Sequence, residues 1–371
     1  MMIMSAGPTT VPQYIREALV KEFTNTDLDP DYIRFHRSME RKISRLLHTE
    51  ATSFTMLGEA MLGLDGAAAS FTESGKRVLI LANGIFSRGF ADLIRLYGGE
   101  PVILDFDDRR GIDPEQLEAF LKKDHDFSFA TMVHCETPTG ITNDIHAIGR
   151  LLSDHGILSV VDSVSGIGGE FLHFDEAQVD CVIGGSQKCL SVPAGITTIT
   201  LSDRAIHWLK RRETPIPSFY SNFLQYLKKD DFEFPYTMNE HLVCAMDASL
   251  DSLSGHDFVA EHRVYAEKTR SAVTTAGLEI YARSHHSNTV TTVLLPEEIS
   301  GKKLLGKLRQ SGLILSGGIG PLHDKAIRIG HMGANIASEP AYLEMLRQLS
   351  AALAEAGVNL EMGLADAFLK A

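Results

Sequence analysis

Continuous apolar runs alternate with amphipathic segments through the first two thirds of the chain. In the segment 114–123, Leu117, Phe120 and Leu121 recur at helical spacing. The runs between such segments are apolar throughout, as in strands buried on both faces of a parallel sheet. The pattern predicts an α/β fold with a large, mostly parallel sheet and helices on both faces. The strand-like runs of this region are residues 77–82, 101–104, 128–133, 157–163, 179–186 and 196–201.

The pattern changes after about residue 255. A long helical segment, 257–276, precedes an apparent strand at 289–295 and a helix at 302–310. A glycine-rich turn with a strand follows, and the segment 340–356 reads as the final helix. We therefore expect two domains: a large one over residues 1–258, including the amino-terminal segment, and a smaller α+β domain over 259–371.

Charge and cysteine content narrow the class of protein. The 371 residues carry a formal net charge of -13, which argues against a broad basic surface for nucleic acid or anionic membrane. The four cysteines form no CxxC pair, which favours reduced thiols. We find no signal-like apolar start, no membrane span and no paired metal-ligand spacing, so we expect a cytoplasmic protein without a metal site.

Two residues at strand ends carry the candidate chemistry. Asp162 ends one apolar run, and Lys188 follows the next one after a glycine pair. A lysine amine can form a Schiff base with the aldehyde of pyridoxal phosphate, and an aspartate can keep the pyridinium nitrogen protonated. Taken alone, the lysine could be a surface residue and the aspartate a helix N-cap. Together, at two strand ends, they predict a pyridoxal phosphate site.

The residues around Lys188 resemble a known motif. Gly-Ser-Gln-Lys at 185–188, followed by Pro-Ala-Gly at 193–195, is similar to the lysine motif of the class V aminotransferases, close to their alanine–glyoxylate and serine–pyruvate group. The resemblance runs over nearly the whole length. It implies fold type I with a mostly parallel sheet of seven strands in the large domain, and pyridoxal 5′-phosphate as cofactor. It also implies Lys188 and Asp162 as catalytic residues and Gln187 among the cofactor-binding residues.

The resemblance also implies a phosphate site and a ring-stacking residue. Gly58, Glu59 and Ala60 precede the helical segment 61–71, and a helix N-terminus suits a phosphate. Glu59 departs from the family pattern, because a carboxylate repels a phosphate; we expect its backbone to bind. Phe86 stands where many relatives have a tryptophan stacked on the ring. A core phenylalanine is the alternative.

Two threonines complete the implied cofactor site. Thr137 stands where the family has a hydroxyl near the ring oxygen. Thr237 stands where the family reaches the phosphate of the neighbouring subunit, which implies a homodimer. The accompanying tyrosine aligns with Phe234, so either that contact is lost or Tyr236 replaces it.

Arg328 matches the arginine that binds the substrate carboxylate, and Gly7 is expected to border the same site. A guanidinium fork fits a carboxylate in two parallel hydrogen bonds. A surface ion pair is the alternative for Arg328. The implied activity is ping-pong transfer of an amino group from a small amino acid to glyoxylate or pyruvate. A 2-aminoethylphosphonate–pyruvate transaminase, a pyridoxal phosphate lyase or desulfurase, and a non-catalytic scaffold are the alternatives.

Overall fold

A seven-stranded sheet organises the larger part of the computed structural model, which describes residues 1–22, 25–227 and 234–371. The described strands are β1 (Met2–Ile3), β2 (Thr52–Leu57), β3 (Arg77–Ala82), β4 (Glu100–Asp105), β5 (Phe129–Val133), β6 (Cys135–Glu136), β7 (Ile141–Thr142), β8 (Leu158–Asp162), β9 (Cys181–Gly185), β10 (Ile196–Leu201), β11 (Glu279–Ile280), β12 (Val290–Leu294), β13 (Leu313–Ile314), β14 (Ser316–Gly317) and β15 (Ala326–Gly330).

Helices cover the sheets. The described α-helices are α1 (Gln13–Ala18), α2 (Pro30–Leu46), α3 (Met61–Phe71), α4 (Ile85–Leu96), α5 (Pro114–Leu121), α6 (Ile145–Asp154), α7 (Phe174–Ala177), α8 (Asp203–Lys210), α9 (Phe223–Tyr226), α10 (Glu240–Leu253), α11 (Phe258–Thr275), α12 (Gly301–Gln310), α13 (Glu339–Glu355) and α14 (Leu364–Lys370). Two 3₁₀ turns lie at Gly320–Leu322 and Gly333–Ile336. Within the described ranges, no helix is both long and apolar enough to cross a membrane.

The large sheet has the strand order β2-β10-β9-β8-β5-β3-β4. Its pairs are parallel except those of β10, which runs antiparallel to both β2 and β9. The prediction of a mostly parallel seven-stranded sheet is therefore confirmed. Because β5, β8 and β9 run in the same direction, their carboxyl ends meet at one edge, which is where open α/β sheets bind ligands.

The inner strands of this sheet are buried on both faces, which explains their unbroken apolar sequences, whereas the edge strand β4 is partly exposed. In β3, Leu79 and Leu81 belong to one core cluster, whereas Val78 and Ile80 belong to the cluster on the other face. Side chains alternate between the two faces of a strand, so both faces need apolar residues when helices cover both. All four side chains are fully buried.

The carboxyl-terminal part contains an antiparallel sheet of order β11-β12-β15-β14 and a separate core cluster. The prediction that residues 340–356 form the final helix is wrong, because α14 follows α13 and buries Phe368 in that cluster. The amino-terminal strand β1 pairs with β13, and Met4 joins the same cluster. The domain division at residue 258 stays a prediction; α11 begins at that position.

Candidate active site

Lys188 and Asp162 lie at the carboxyl edge of the large sheet. Asp162 is the last residue of β8, and Lys188 lies in the turn after β9. These strands are parallel neighbours, with Asp162 opposite Ile183. The structure thus brings the two predicted residues to the same edge.

The amine of Lys188 lies in an environment that favours its neutral form. Its Nζ donates a hydrogen bond to the backbone oxygen of Ala6 at 2.8 Å. Burial lowers the pKa of Lys188, and the positive charge of Arg328 lowers it further. A neutral amine is the form that acts as a nucleophile or takes a proton.

The carboxyl group of Asp162 is buried, with 6% of the residue exposed. Its Oδ1 accepts a hydrogen bond from the backbone N–H of Val164 at 2.9 Å. Burial raises the pKa of Asp162 to about 6, and the nearby carboxylates of Glu136 and Glu59 act in the same direction. A cation beside Asp162, such as a protonated ring nitrogen, would offset that cost.

Phe86 stands on the first turn of α4 and is 39% exposed, so the alternative of a core phenylalanine is wrong. Its helix is held by the buried Glu136, which accepts hydrogen bonds from the backbone N–H and hydroxyl of Ser87, both at 2.7 Å. The N–H of Phe86 lies 3.4 Å from the second carboxylate oxygen. A Cβ on Gly84 would lie 2.3 Å from the carboxyl carbon, so this approach requires glycine.

Thr137 is buried beside this carboxylate, and its hydroxyl shares a hydrogen bond with that of Ser165. His134 lies at the same edge, where its Nδ1 is 3.0 Å from the hydroxyl of Ser163. Burial lowers the pKa of His134 to about 3, so its ring is neutral at physiological pH. Thr137 and His134 are thus buried polar residues that follow β5, and each is hydrogen-bonded to a serine in the segment after β8.

The turn before α3 differs from a simple phosphate cradle. Glu59 is exposed, and its Oε1 accepts a hydrogen bond from the N–H of Met61 at 3.0 Å. Its Oε2 accepts from Nε2 of Gln187 at 3.2 Å. The N–H of Gly58 donates to the oxygen of Gly195. In the described part of the chain, only the N–H groups of Glu59 and Ala60 remain without a protein acceptor in this turn.

Arg328 lies in β15 with 8% of the residue exposed. Its Nε donates to the oxygen of Gly317 at 2.8 Å, and burial lowers the pKa of the guanidinium to about 10. Among the described residues, no carboxylate lies within 4 Å of it, so the alternative of a surface ion pair is wrong. A buried guanidinium without a carboxylate of the protein beside it can bind the carboxylate of a ligand.

The amino-terminal segment joins Arg328 to Lys188. The N–H of Ala6 donates a hydrogen bond to the hydroxyl oxygen of Ser316 at 2.9 Å, and Ser316 lies opposite Arg328 in the sheet. Gly7 follows with φ +93°, and a Cβ there would lie 2.3 Å from Cδ of Lys188. The structure thus places Gly7 against Lys188, and the expectation that Gly7 borders the substrate carboxylate stays a prediction.

Thr237, which was predicted to reach the phosphate of a neighbouring subunit, makes no hydrogen bond to these site residues within the described part of one chain. Thr237 is exposed and donates to Oδ2 of Asp27 at 2.7 Å. Phe234 stacks on His36, with ring centroids 4.5 Å apart. Tyr236 instead reaches the cofactor side, because its hydroxyl accepts from the N–H of Leu57, next to the turn at 58–60.

The chain is similar in sequence and in structure to known proteins. The family model described as aminotransferase class-V matches residues 2–318. The pyridoxamine–pyruvate transaminase of Mesorhizobium japonicum is 30% identical, with 97% of this chain and 93% of the relative covered. The serine–glyoxylate aminotransferase of Methylorubrum extorquens is 29% identical, covering 88% and 85%. The structure of ureidoglycine–glyoxylate aminotransferase from Bacillus subtilis matches with a TM-score of 0.93 at 27% identity, covering 99% and 97%.

The residues of the site fit the ring end of pyridoxal 5′-phosphate better than its phosphate end. At the ring end, Lys188, Asp162 and Phe86 provide an amine, a carboxylate for the ring nitrogen and an exposed aromatic face. At the phosphate end, a carboxylate and two free N–H groups occupy the turn. No group of three or more His, Cys, Asp or Glu side chains arranged to hold a metal ion occurs in the ranges that the structure describes.

Proposed function

The chain belongs to the class-V aminotransferases, whose cofactor is pyridoxal 5′-phosphate, and we propose that it moves the amino group of a small amino acid to glyoxylate or pyruvate. The observation that carries the proposal is the convergence of Asp162 and the unpaired Arg328 on the amine of Lys188, whose pKa the charges of both residues influence. Relatives named for serine, ureidoglycine and pyridoxamine transamination support the reaction class. They do not favour the phosphonate transaminase or lyase alternatives.

Each residue has a separate task in this proposal. The bound cofactor supplies an aldehyde carbon that receives the amino group and a protonated ring that withdraws electrons. Asp162 holds the proton on the ring nitrogen, and Arg328 holds the substrate carboxylate through its guanidinium fork. Lys188 takes the proton from the α-carbon of the donor with its Nζ, then returns a proton during the second half of the ping-pong cycle.

The surroundings favour a homodimer. Phe219 and Tyr220 are 59% and 55% exposed, and Tyr220 stacks on Tyr236, which binds the backbone beside the turn at 58–60. Exposed aromatic side chains next to a site are typical of a surface that a second subunit covers. In this assembly, Thr237 of one subunit would reach the cofactor of the other.

Two further assignments belong to the same proposal. Residues 1–258 and 259–371 act as a large and a small domain with separate sheets and core clusters, and the first four residues of the chain pack on the small domain. The protein works in the cytoplasm, where its thiols stay reduced. The four free, buried cysteines support that location.

A donor and acceptor panel tests the function. Alanine, serine, aspartate and pyridoxamine are each incubated with glyoxylate or pyruvate, and the amino acid formed from the acceptor is quantified. Lys188→Ala should abolish product formation, whereas the exposed Lys123→Ala should leave it unchanged. Turnover by Lys188→Ala at the unmutated rate would disprove the role of the lysine, and absence of product from every pair would disprove the function.

A further inference from the structure

The turn before α3 presents hydrogen-bond acceptors where the cofactor's phosphate is expected. The carboxylate of Glu59 is fixed by two donors, the N–H of Met61 at 3.0 Å and Nε2 of Gln187 at 3.2 Å. The N–H of Met61 belongs to the first residue of α3 and would otherwise be available to an anion. The protein's own carboxylate therefore takes part of the anion site.

Gln187 provides a second, independent acceptor. The residue is only 6% exposed, and its Oε1 is buried without a hydrogen-bond partner among the described residues. A carboxylate can only accept, so Glu59 fixes the amide with its NH₂ group toward the carboxylate and its oxygen away from it. That oxygen lies 2.9 Å from the position of a Cβ on Gly185, and Ala60 lies equally close to that position. The amide oxygen next to Ala60 thus needs a donor from a ligand.

A phosphate monoester is poorly matched to this arrangement. It carries between one and two negative charges at neutral pH and mainly accepts hydrogen bonds. In the described part of the chain, no lysine, arginine or histidine nitrogen lies within 4 Å of the Glu59 carboxylate to offset the repulsion. A hydroxymethyl group is uncharged and can donate its O–H to a carboxylate or an amide oxygen.

From these contacts we propose that the site also accepts pyridoxamine, the amine form of the vitamin without phosphate, as an amino donor. Glu59 accepts the hydrogen bond of its 5′-hydroxyl group, and Gln187 orients that carboxylate. The proposal rests on the proposed function, because it uses the same ring site and the same Lys188. It makes Glu59 a residue that determines specificity between a hydroxyl and a phosphate.

The reaction balances without a further reactant. The amine of pyridoxamine condenses with the keto carbon of the 2-oxo acid, forming a carbon–nitrogen double bond and releasing water. Lys188 moves a proton from C4′ of the pyridoxamine to the α-carbon of the acid, which shifts the double bond. Water then adds at C4′, and the products are pyridoxal and the amino acid.

A matched pair of ligands tests the role of Glu59. Pyridoxamine and pyridoxamine 5′-phosphate differ only in the phosphate, and titration calorimetry of the purified protein gives the dissociation constant of each. Glu59→Gln keeps the size and removes the charge. We expect it to weaken pyridoxamine binding about tenfold and to strengthen binding of the phosphate ester by a similar factor, since a charge-assisted hydrogen bond is lost and a repulsion is removed. Formation of pyridoxal from pyridoxamine and pyruvate, followed by absorbance, should fall with the binding.

Controls separate this proposal from its premise. Glu115→Gln changes an exposed first-turn carboxylate on α5 and should alter neither constant. Glu59→Ser offers a second variant if the glutamine protein does not fold. An unchanged ratio of the two constants in both variants, or no binding of pyridoxamine to a protein that transaminates amino acids, would overturn this proposal alone. If neither amino acids nor pyridoxamine donate, the proposed function falls with it.

Discussion

The side chain of Lys188 occupies the space that a Cβ on Gly7 would need. A Cβ built on Gly7 would lie 2.3 Å from Cδ, 2.6 Å from Cε and 2.8 Å from Nζ of the lysine. The neighbouring Ala6 accepts the hydrogen bond of that Nζ. The amino-terminal segment therefore fixes the position of the lysine from residues far away in the sequence.

Gly7→Ala should impair catalysis far more than folding. The added methyl group must displace the lysine side chain, and a shift of about 1 Å in a reacting group can cost roughly 100-fold in rate. We expect kcat/KM for the best donor to fall at least to that degree. Gly75→Ala is the matched control, because Gly75 also has a positive φ, +73°, but no atom within 4 Å of its Cβ position. It should cost about 1–2 kcal/mol of stability and leave kcat/KM unchanged. Equal kinetics for the two variants would contradict the prediction.

The helices and strands of the central region follow from local sequence, because their apolar patterns are unambiguous. The predicted helix at 61–71 and strand at 196–201 have the same bounds as α3 and β10. The direction of β10 was not encoded in its pattern, since an apolar strand reads the same in either orientation. α14 was missed because its seven residues are too few for helical periodicity to stand out.

The site was predictable only where a residue belongs to a motif. Lys188, Asp162 and Arg328 stand at strand ends or in a strand, so their approach follows from topology. Glu136 was not predicted to have a role. Its function depends on the buried N–H groups of α4, which no pattern reveals. The only signal was an acidic residue between the apolar end of β5 and a Thr-Pro turn.

Arg328→Lys should weaken the binding of carboxylate substrates while keeping the positive charge. A lysine ammonium cannot form the two parallel hydrogen bonds of a guanidinium. We expect kcat/KM to fall by roughly 10- to 100-fold, mainly through KM, as measured with a series of donor concentrations. Arg309→Lys, on an exposed position of α12, is the control. A KM unchanged for both donor and acceptor would show that Arg328 does not bind the carboxylate.

Glu136→Ala should loosen the first turn of α4 and with it Phe86. The change leaves the backbone N–H of Ser87 without an acceptor in a buried site, while the hydroxyl keeps the backbone oxygen of Gly84, so the free energy of unfolding should fall by about 1–3 kcal/mol. Cofactor affinity, measured by fluorescence titration, should fall roughly tenfold, because an aromatic contact with the ring is worth about that much. Asp113→Ala removes the N-cap of α5 and should reduce stability alone. Unchanged cofactor affinity in Glu136→Ala would show that this carboxylate does not influence binding of the cofactor ring.

Asp162→Asn should make the cofactor-free protein more stable at high pH and much less active. Burial raises the pKa of Asp162 to about 6 from 3.8, so the folded state favours the protonated carboxyl, and the stability this provides is lost as the pH rises through 6. Asparagine is uncharged and can still accept a hydrogen bond from the N–H of Val164.

The free energy of unfolding of the variant should therefore match that of the unmutated protein below pH 4 and exceed it by about 3 kcal/mol at pH 8, measured by urea unfolding. Asp113→Asn, on an exposed helix cap, should show no such gain. Turnover should fall at least roughly 100-fold, because an amide cannot hold the ring proton. A stability difference that is the same at pH 4 and pH 8 would show that ionisation of the buried Asp162 does not destabilise the cofactor-free protein.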